Sequence, residues 1–222
     1  LNFTRSEWAA LRDATPLTLT EDELRDLAGR VEPITLAGVR DIYLPLSRLL
    51  NLRVEAQLRL QNITSDFFGR NASSRPFLIG VAGSVSAGKS TTARILQAML
   101  ATWPEHPRVD LITTDGFLQP NAELEERGLL GRKGFPESYR QGALVEFLRQ
   151  VVNGASQVSA PIYSHVTYDI TDEVQLVEQP DILIVEGLNV LQTGSPSNTP
   201  FVSDYFDFTI YVDADTEDLE SW

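Results

Sequence analysis

One octapeptide limits the fold of this chain more than any other feature. Gly83-Ser84-Val85-Ser86-Ala87-Gly88-Lys89-Ser90 stands directly after the apolar run Phe77-Leu-Ile-Gly-Val-Ala82. A short apolar run between turn signals reads as a buried strand, and residues 89–102 follow with helical spacing. The pattern G-x-x-x-x-G-K-S between a strand and a helix describes a loop that turns tightly on its glycines and points backbone N–H groups inward. Those groups and the N-terminus of the following helix form a cradle for anions. Lys89 adds a point charge for the β and γ phosphates of a nucleotide, and the Ser90 hydroxyl suits Mg²⁺. Residues Gly83 to Ser90, with Thr91 next in the helix, are therefore the candidate nucleotide-binding residues.

The rest of the chain supplies a setting for such a loop. Residues 4–14 and 20–29 read as short helices, the second opened by the capping-box pattern Thr20-Glu21-Asp22-Glu23. Residues 35–68 carry apolar positions at helical spacing, and Pro45 inside them predicts a new helix or a kink. Gly69 to Pro76 is a polar turn segment. Strands are then expected at 77–82, 109–114, 159–163, 173–177, 181–185 and 207–212, with a further helix at 141–153 and a Gly/Ser/Pro-rich loop from Thr193 to Pro200. Strands alternating with helices imply an α/β fold, a mostly parallel sheet with helices on both faces, preceded by a helical extension. The expected division is an extension over 1–76 packed on a core over 77–222, together one domain. The last strand leads into Thr216-Glu-Asp-Leu-Glu-Ser-Trp222, the capped opening of a helix that stops after one or two turns. With Leu1 in place of a methionine, both ends read as those of a piece of a longer protein.

In parallel sheets, nucleotide sites lie at the carboxyl ends of strands, and two acids stand there. Asp115 follows Val109-Asp-Leu-Ile-Thr-Thr114, and Glu186 follows Asp181-Ile-Leu-Ile-Val185. Phosphoryl transfer to a hydroxyl requires a positioned phosphate, neutralised charge and an acceptor for the hydroxyl proton. Asp115 and Glu186 are candidates for base and metal carboxylate. Gly116 and Gly187 follow the acids, as expected of tight turns beside a ligand.

A third cluster is Tyr163-Ser-His165-Val-Thr-Tyr168-Asp169. The chain has two histidines, and the other, His106, lies between Pro104 and Pro107 in an expected surface turn. The segment 127–140 is basic, rich in glycine, and reads as a mobile loop of the kind that closes over phosphates. The surroundings are acidic, at a formal net charge of −13, which argues against nucleic acid or an anionic membrane as the partner. The chain contains no cysteine, which removes disulfides, thiolate metal sites and cysteine nucleophiles and fits a cytosolic (cytoplasmic) protein. No apolar run approaches the ~18 residues of a membrane helix.

Taken together, these motifs closely resemble type I (prokaryotic) pantothenate kinase. The resemblance is carried by Ile42-Tyr-Leu-Pro-Leu-Ser-Arg-Leu-Leu50, the segment 83–94, Leu111-Ile-Thr-Thr-Asp-Gly-Phe-Leu118, Lys133-Gly-Phe-Pro-Glu-Ser-Tyr139, Pro161-Ile-Tyr-Ser-His-Val-Thr-Tyr-Asp169 and Pro180-Asp-Ile-Leu-Ile-Val-Glu-Gly-Leu-Asn-Val-Leu191. It implies a P-loop kinase fold, phosphorylation of the pantothenate hydroxyl with ATP and Mg²⁺, a homodimer, and feedback inhibition by coenzyme A in competition with ATP. By the same resemblance, Lys89 and Ser90 hold phosphates and Mg²⁺, and Asp115 is the catalytic base. Lys133 lies near the transferring phosphate. Tyr163, His165 and Tyr168 bind substrate, Glu186 occupies the Walker B position, and Arg94 with His165 answers to coenzyme A. The family's chain runs on past this C-terminus, and the residues that complete its acceptor pocket cannot be assigned here. A polypeptide ending at Trp222 is expected to show little kinase activity. The other readings are a uridine kinase or phosphoribulokinase, a nucleotide-dependent switch, for which no N-K-x-D run is present, and an inactive nucleotide-binding module.

Overall fold

The computed structural model describes residues 1–27, 34–69, 75–192 and 200–214. The expected loop at 193–199, the helix opening at 216–222 and the end of the second helix lie outside these residues. The chain forms two compact units, one from Leu1–Ser73 with Thr91–Val109, the other from Ser74–Ser90 with Asp110–Ser221.

The first unit is helical. Helix α1 (Arg5–Ala10) opens with Thr4 and Glu7 as a capping box, and ends sooner than its apolar spacing suggests. In α2 (Glu21–Leu27) the expected box forms, Thr20 N–H donating to Glu23 at 2.9 Å and Glu23 N–H to Thr20 Oγ1 at 3.3 Å. A short turn of helix, α3 (Leu36–Gly38), runs through a π-type turn at Val39–Tyr43 into α4 (Leu44–Phe67). Pro45 stands in the first turn of α4, where its missing N–H costs nothing. The wide turn before it, closed by Leu44 N–H on Val39 O, is the expected break in the long helical stretch. Helix α5 (Lys89–Leu100) gives this unit its residues from Thr91 onward. Ile95 and Met99 of α5 pack with Leu24, Val39 and Leu44.

His106 is not in a surface turn. It is fully buried, its Nε2 lies 2.6 Å from Asn51 Oδ1, and Asn51 Nδ2 donates to Glu55 at 2.7 Å. The prolines around it set a turn, but Trp103, whose indole N–H donates to Ser47 Oγ, anchors that turn inside the unit. The sequence shows the turn and not its depth.

The second unit holds the sheet, in the order β2-β5-β1-β6. Strand β1 (Phe77–Gly83) is buried throughout and pairs in parallel with β5 (Ile182–Glu186) and β6 (Phe208–Val212). Strand β2 (Val109–Thr113) flanks β5. Helix α6 (Asn121–Glu126) is short and was not expected, and α7 (Gln141–Val152) buries Leu144, Phe147, Leu148 and Val151 against Leu78, Leu183 and Val185. The remaining two strands do not join the parallel sheet. β3 (Val158–Ser164) and β4 (Asp169–Val177) form an antiparallel hairpin, with Tyr163 opposite Ile170. A connection of four residues, 165–168, cannot make a parallel crossover. No helix among the described residues is long and apolar enough to cross a membrane.

Candidate active site

Strand β1 ends in the octapeptide, and the loop adopts the backbone its composition suggests. Ser86 and Gly88 have φ of +61° and +82°. At Gly83 a β-carbon would lie 2.3 Å from the Val212 carbonyl of β6, so the close approach of two strands excludes any side chain there. Lys89 is buried, and its ammonium donates to the Ser84 carbonyl at 2.6 Å. Burial pushes the Lys89 ammonium below its ordinary range, against the pull of the Glu186 and Asp115 carboxylates. The loop lysine and both strand-end acids therefore share one electrostatic site.

The acids are held differently from one another. Glu186 is the last residue of β5, paired across from Val81 and buried. Asp115 sits in a 3₁₀ turn, Thr114–Phe117, and is partly exposed. The glycines after them answer to protein packing and not to ligand space. A β-carbon on Gly187 would lie 1.8 Å from Thr114 Oγ1, and one on Gly116 would lie 2.0 Å from the Pro161 carbonyl. Gly187 thus lets the end of β5 close on the turn that carries Asp115, and Gly116 lets that turn close on β3.

Tyr139 completes the group, and sequence reasoning passed over it. Its hydroxyl donates to Asp115 Oδ1 at 3.3 Å. Burial raises the Tyr139 phenol well above its ordinary value, helped by the Asp115 charge and the hydrogen bond to it. Tyr139 consequently remains a donor across the physiological range. Its place is fixed by a short bridge between Leu118 and Tyr139 and by Arg140 N–H on the Phe117 carbonyl at 2.7 Å. The segment 127–140 is accordingly a run of turns, with 3₁₀ turns at Leu130–Arg132 and Pro136–Ser138 and with Ser138 and Tyr139 buried. The signal available in the sequence was a tyrosine directly before the amphipathic helix α7, whose buried face draws it inward.

Lys133 belongs to the same segment. Its ammonium donates to Asn121 Oδ1 at 2.6 Å and to the Tyr168 carbonyl, and lies 4.9 Å from the centre of the Tyr163 ring. Asn121, unforeseen in the sequence, also donates its side-chain amide to the Tyr168 carbonyl at 3.1 Å, and its backbone N–H to Asp169 at 3.0 Å. His165 packs edge-on against the Tyr163 ring at 5.2 Å and is exposed, as is Tyr168. The expected residues Lys89, Asp115, Glu186, Lys133, Tyr163, His165 and Tyr168 all lie in the second unit, whereas Thr91 and Arg94 lie on α5 in the first. No group of three or more acids and histidines able to hold a metal occurs among the described residues. A cavity of about 380 Å³ adjoins the loop, lined by Gly83, Ser84, Pro136, Leu188, Asn189 and Tyr211 among others.

This geometry has relatives. The model of the phosphoribulokinase / uridine kinase family matches residues 78–221. The pantothenate kinase of Shewanella halifaxensis is 61% identical over 227 aligned residues, which span all of this chain and 72% of that protein. The pantothenate kinase of Shewanella piezotolerans is 59% identical over the same spans. Among solved structures, a kinase from Silicibacter sp. TM1040, provisionally assigned to a fructose transport system, aligns with a TM-score of 0.59 at 25% identity, covering 66% of this chain and 69% of that one.

Proposed function

The chain belongs to the pantothenate kinase family, and on that premise we propose that it transfers the γ-phosphoryl group of ATP to the primary hydroxyl of pantothenate, giving 4'-phosphopantothenate, the first intermediate on the way to coenzyme A. The observation that carries this reading is the setting of Asp115. It is a partly exposed carboxylate, coupled to the buried loop lysine and held by a tyrosine that stays protonated.

The loop amides of Gly83 to Ser90 and the Lys89 ammonium hold the nucleotide phosphates, with Thr91 next in the helix. Asp115 accepts the hydroxyl proton as the oxygen attacks phosphorus, and Tyr139 fixes the carboxylate oxygen that does not take it. Lys133 offsets charge near the transferring group. Tyr163, His165 and Tyr168 line the acceptor side. Ser90 and Glu186 would hold Mg²⁺, an ion that takes most of its ligands from water and phosphate and needs only one or two protein oxygens. When bound, the ion neutralises the β and γ oxygens.

Feedback by coenzyme A in competition with ATP belongs to the same proposal, as do a homodimer and a cytoplasmic location. The test is a coupled assay of ADP release on a polypeptide that runs on past Trp222 as the family's chain does, with pantothenate, uridine and ribulose 5-phosphate offered in parallel. Turnover with pantothenate that outpaces the others by at least ~100-fold is the expected result. Turnover of uridine without pantothenate would move the chain to another branch of its group.

A further inference from the structure

One side chain on the acceptor side holds two others, and the proposed reaction leaves it without a role. Asn121 is the first residue of α6. Its Oδ1 accepts from the Lys133 ammonium at 2.6 Å, and its Nδ2 donates to the Tyr168 carbonyl at 3.1 Å. The orientation of the amide is forced, because an ammonium can only donate and a carbonyl can only accept. The Lys133 ammonium also donates to the same Tyr168 carbonyl, so the three groups close a ring of hydrogen bonds. The backbone joins in. Pro120 stands at the N-cap of α6 with no side-chain acceptor to offer, and the Asn121 N–H donates instead to Asp169 Oδ1 of the hairpin at 3.0 Å.

What this ring holds is a strained turn. Tyr168 has φ of +53°, left-handed backbone that a residue with a β-carbon enters only at a cost. The turn joins β3 to β4 through His165, Val166, Thr167 and Tyr168. From within, Ser164 Oγ accepts the Val166 and Thr167 N–H groups at 3.2 Å each. From outside, Asn121 and Lys133 hold the Tyr168 carbonyl. Lys133 also faces the Tyr163 ring, against which His165 packs. The groups proposed to surround the acceptor therefore take their relative positions at or beside one asparagine.

We propose that Asn121 is the positioning residue of the acceptor site. Its amide fixes the Lys133 ammonium, which serves the transferring phosphoryl group, against the turn that carries Tyr168, which serves the acceptor. The inference rests on the phosphoryl-transfer reading above and names the residue that holds its two halves in register. Aspartate at this position would lack the donor, and alanine would lack both donor and acceptor.

The test is steady-state kinetics on the polypeptide that runs on past Trp222, with ATP and acceptor each varied. Asn121→Ala is expected to raise KM for pantothenate on the order of 10-fold and to lower kcat on the order of 5-fold, with KM for ATP changed less than about 2-fold. Asn121→Asp keeps the shape and puts an oxygen in place of the donor to the Tyr168 carbonyl. It is expected to raise KM for pantothenate on the order of 5-fold, and it carries the test should Asn121→Ala not fold. Lys133→Ala with Asn121→Ala is expected to lower kcat no further than Lys133→Ala alone, since the first residue acts through the second. A tether that served stability alone would move the melting temperature and leave KM for pantothenate unchanged. A pantothenate KM within about 2-fold of the unaltered value in both Asn121 variants, an equal rise in both KM values, or fully additive losses of kcat would overturn the inference. An unaltered enzyme that prefers another acceptor would overturn the pantothenate reading alone, and KM for that acceptor would then decide the role of Asn121. One that phosphorylates no acceptor would overturn both.

Discussion

The phosphate loop and the acceptor side of the site are built on opposite plans. The loop is eight consecutive residues between one strand and one helix, and its groups are mostly backbone. The acceptor side gathers Asp115 from the end of β2, Asn121 from the head of α6, Lys133 and Tyr139 from a run of turns, and Tyr163 and Tyr168 from the hairpin. The first arrangement needs only local geometry, so its position depends little on the rest of the fold. The second depends on close contacts between segments far apart in sequence. Function on the acceptor side is therefore exposed to packing changes that would leave the loop intact.

The contrast is sharpest at the proposed base. Asp115→Asn keeps the shape of the side chain and removes its ability to take a proton. The expected outcome is a fall in kcat of about 10³-fold, equivalent to about 4 kcal/mol, with KM for ATP changed less than about 3-fold. Steady-state kinetics with both substrates varied check this. Equal loss of nucleotide binding would mean that Asp115 serves the loop's side of the site, and the division drawn above would fail.

The second break point is the contact that joins the two acid-bearing strand ends. Gly187→Ala drives a methyl group into Thr114 Oγ1, and Thr114 is fully buried and cannot swing away. A loss of about 2–3 kcal/mol in unfolding free energy is expected, measured by urea titration. Thr114 Oγ1 has no hydrogen-bond partner among the described residues, so Thr114→Ala alone should cost little, and combined with Gly187→Ala it should recover part of the loss, the rest remaining because the β-carbon of residue 114 still lies 2.8 Å from the added methyl. A double variant as unstable as Gly187→Ala would place the strain elsewhere.

These contacts also explain what could be read in the sequence. The loop, the strand-end acids and the positions of the sheet strands follow from local patterns: glycine spacing, apolar runs, a carboxylate after two of those runs. The pairing of β3 with β4 was not legible, because two short strands look alike whether they join the main sheet or each other. Tyr139 and Asn121 were missed for a related reason. A tyrosine in a turn and an asparagine at the head of a six-residue helix carry no periodicity, and only the bridge from Leu118 to Tyr139 brings the first beside Asp115. His106 shows the converse: its prolines announced a turn, while its burial depends on Asn51, 55 residues away.

The smallest effect tests whether Tyr139 positions Asp115 or merely fills space. Tyr139→Phe keeps the ring and removes the donor. A fall in kcat of about 3- to 10-fold is expected, with a stability loss of about 1 kcal/mol at neutral pH. The kinetic effect tests the positioning role, and the pH dependence of stability tests whether the fold holds the phenol proton. The phenol's value lies above its ordinary 10.0, so the folded protein holds that proton more tightly than the unfolded chain does. Its contribution is fully present below about pH 10 and declines as pH rises beyond that, where the unfolded tyrosine ionises first. Lys89, shifted downward, acts in the opposite sense, with stability rising as pH approaches 10.5, but it is common to both proteins and cancels in their difference. The stability gap between the unaltered protein and Tyr139→Phe should therefore hold steady from pH 7 to about 9.5 and narrow above 10. Urea midpoints at closely spaced pH values measure it. A gap that stays constant through pH 11 would mean that the fold, by burial and by the Asp115 charge, does not hold the phenol proton at all.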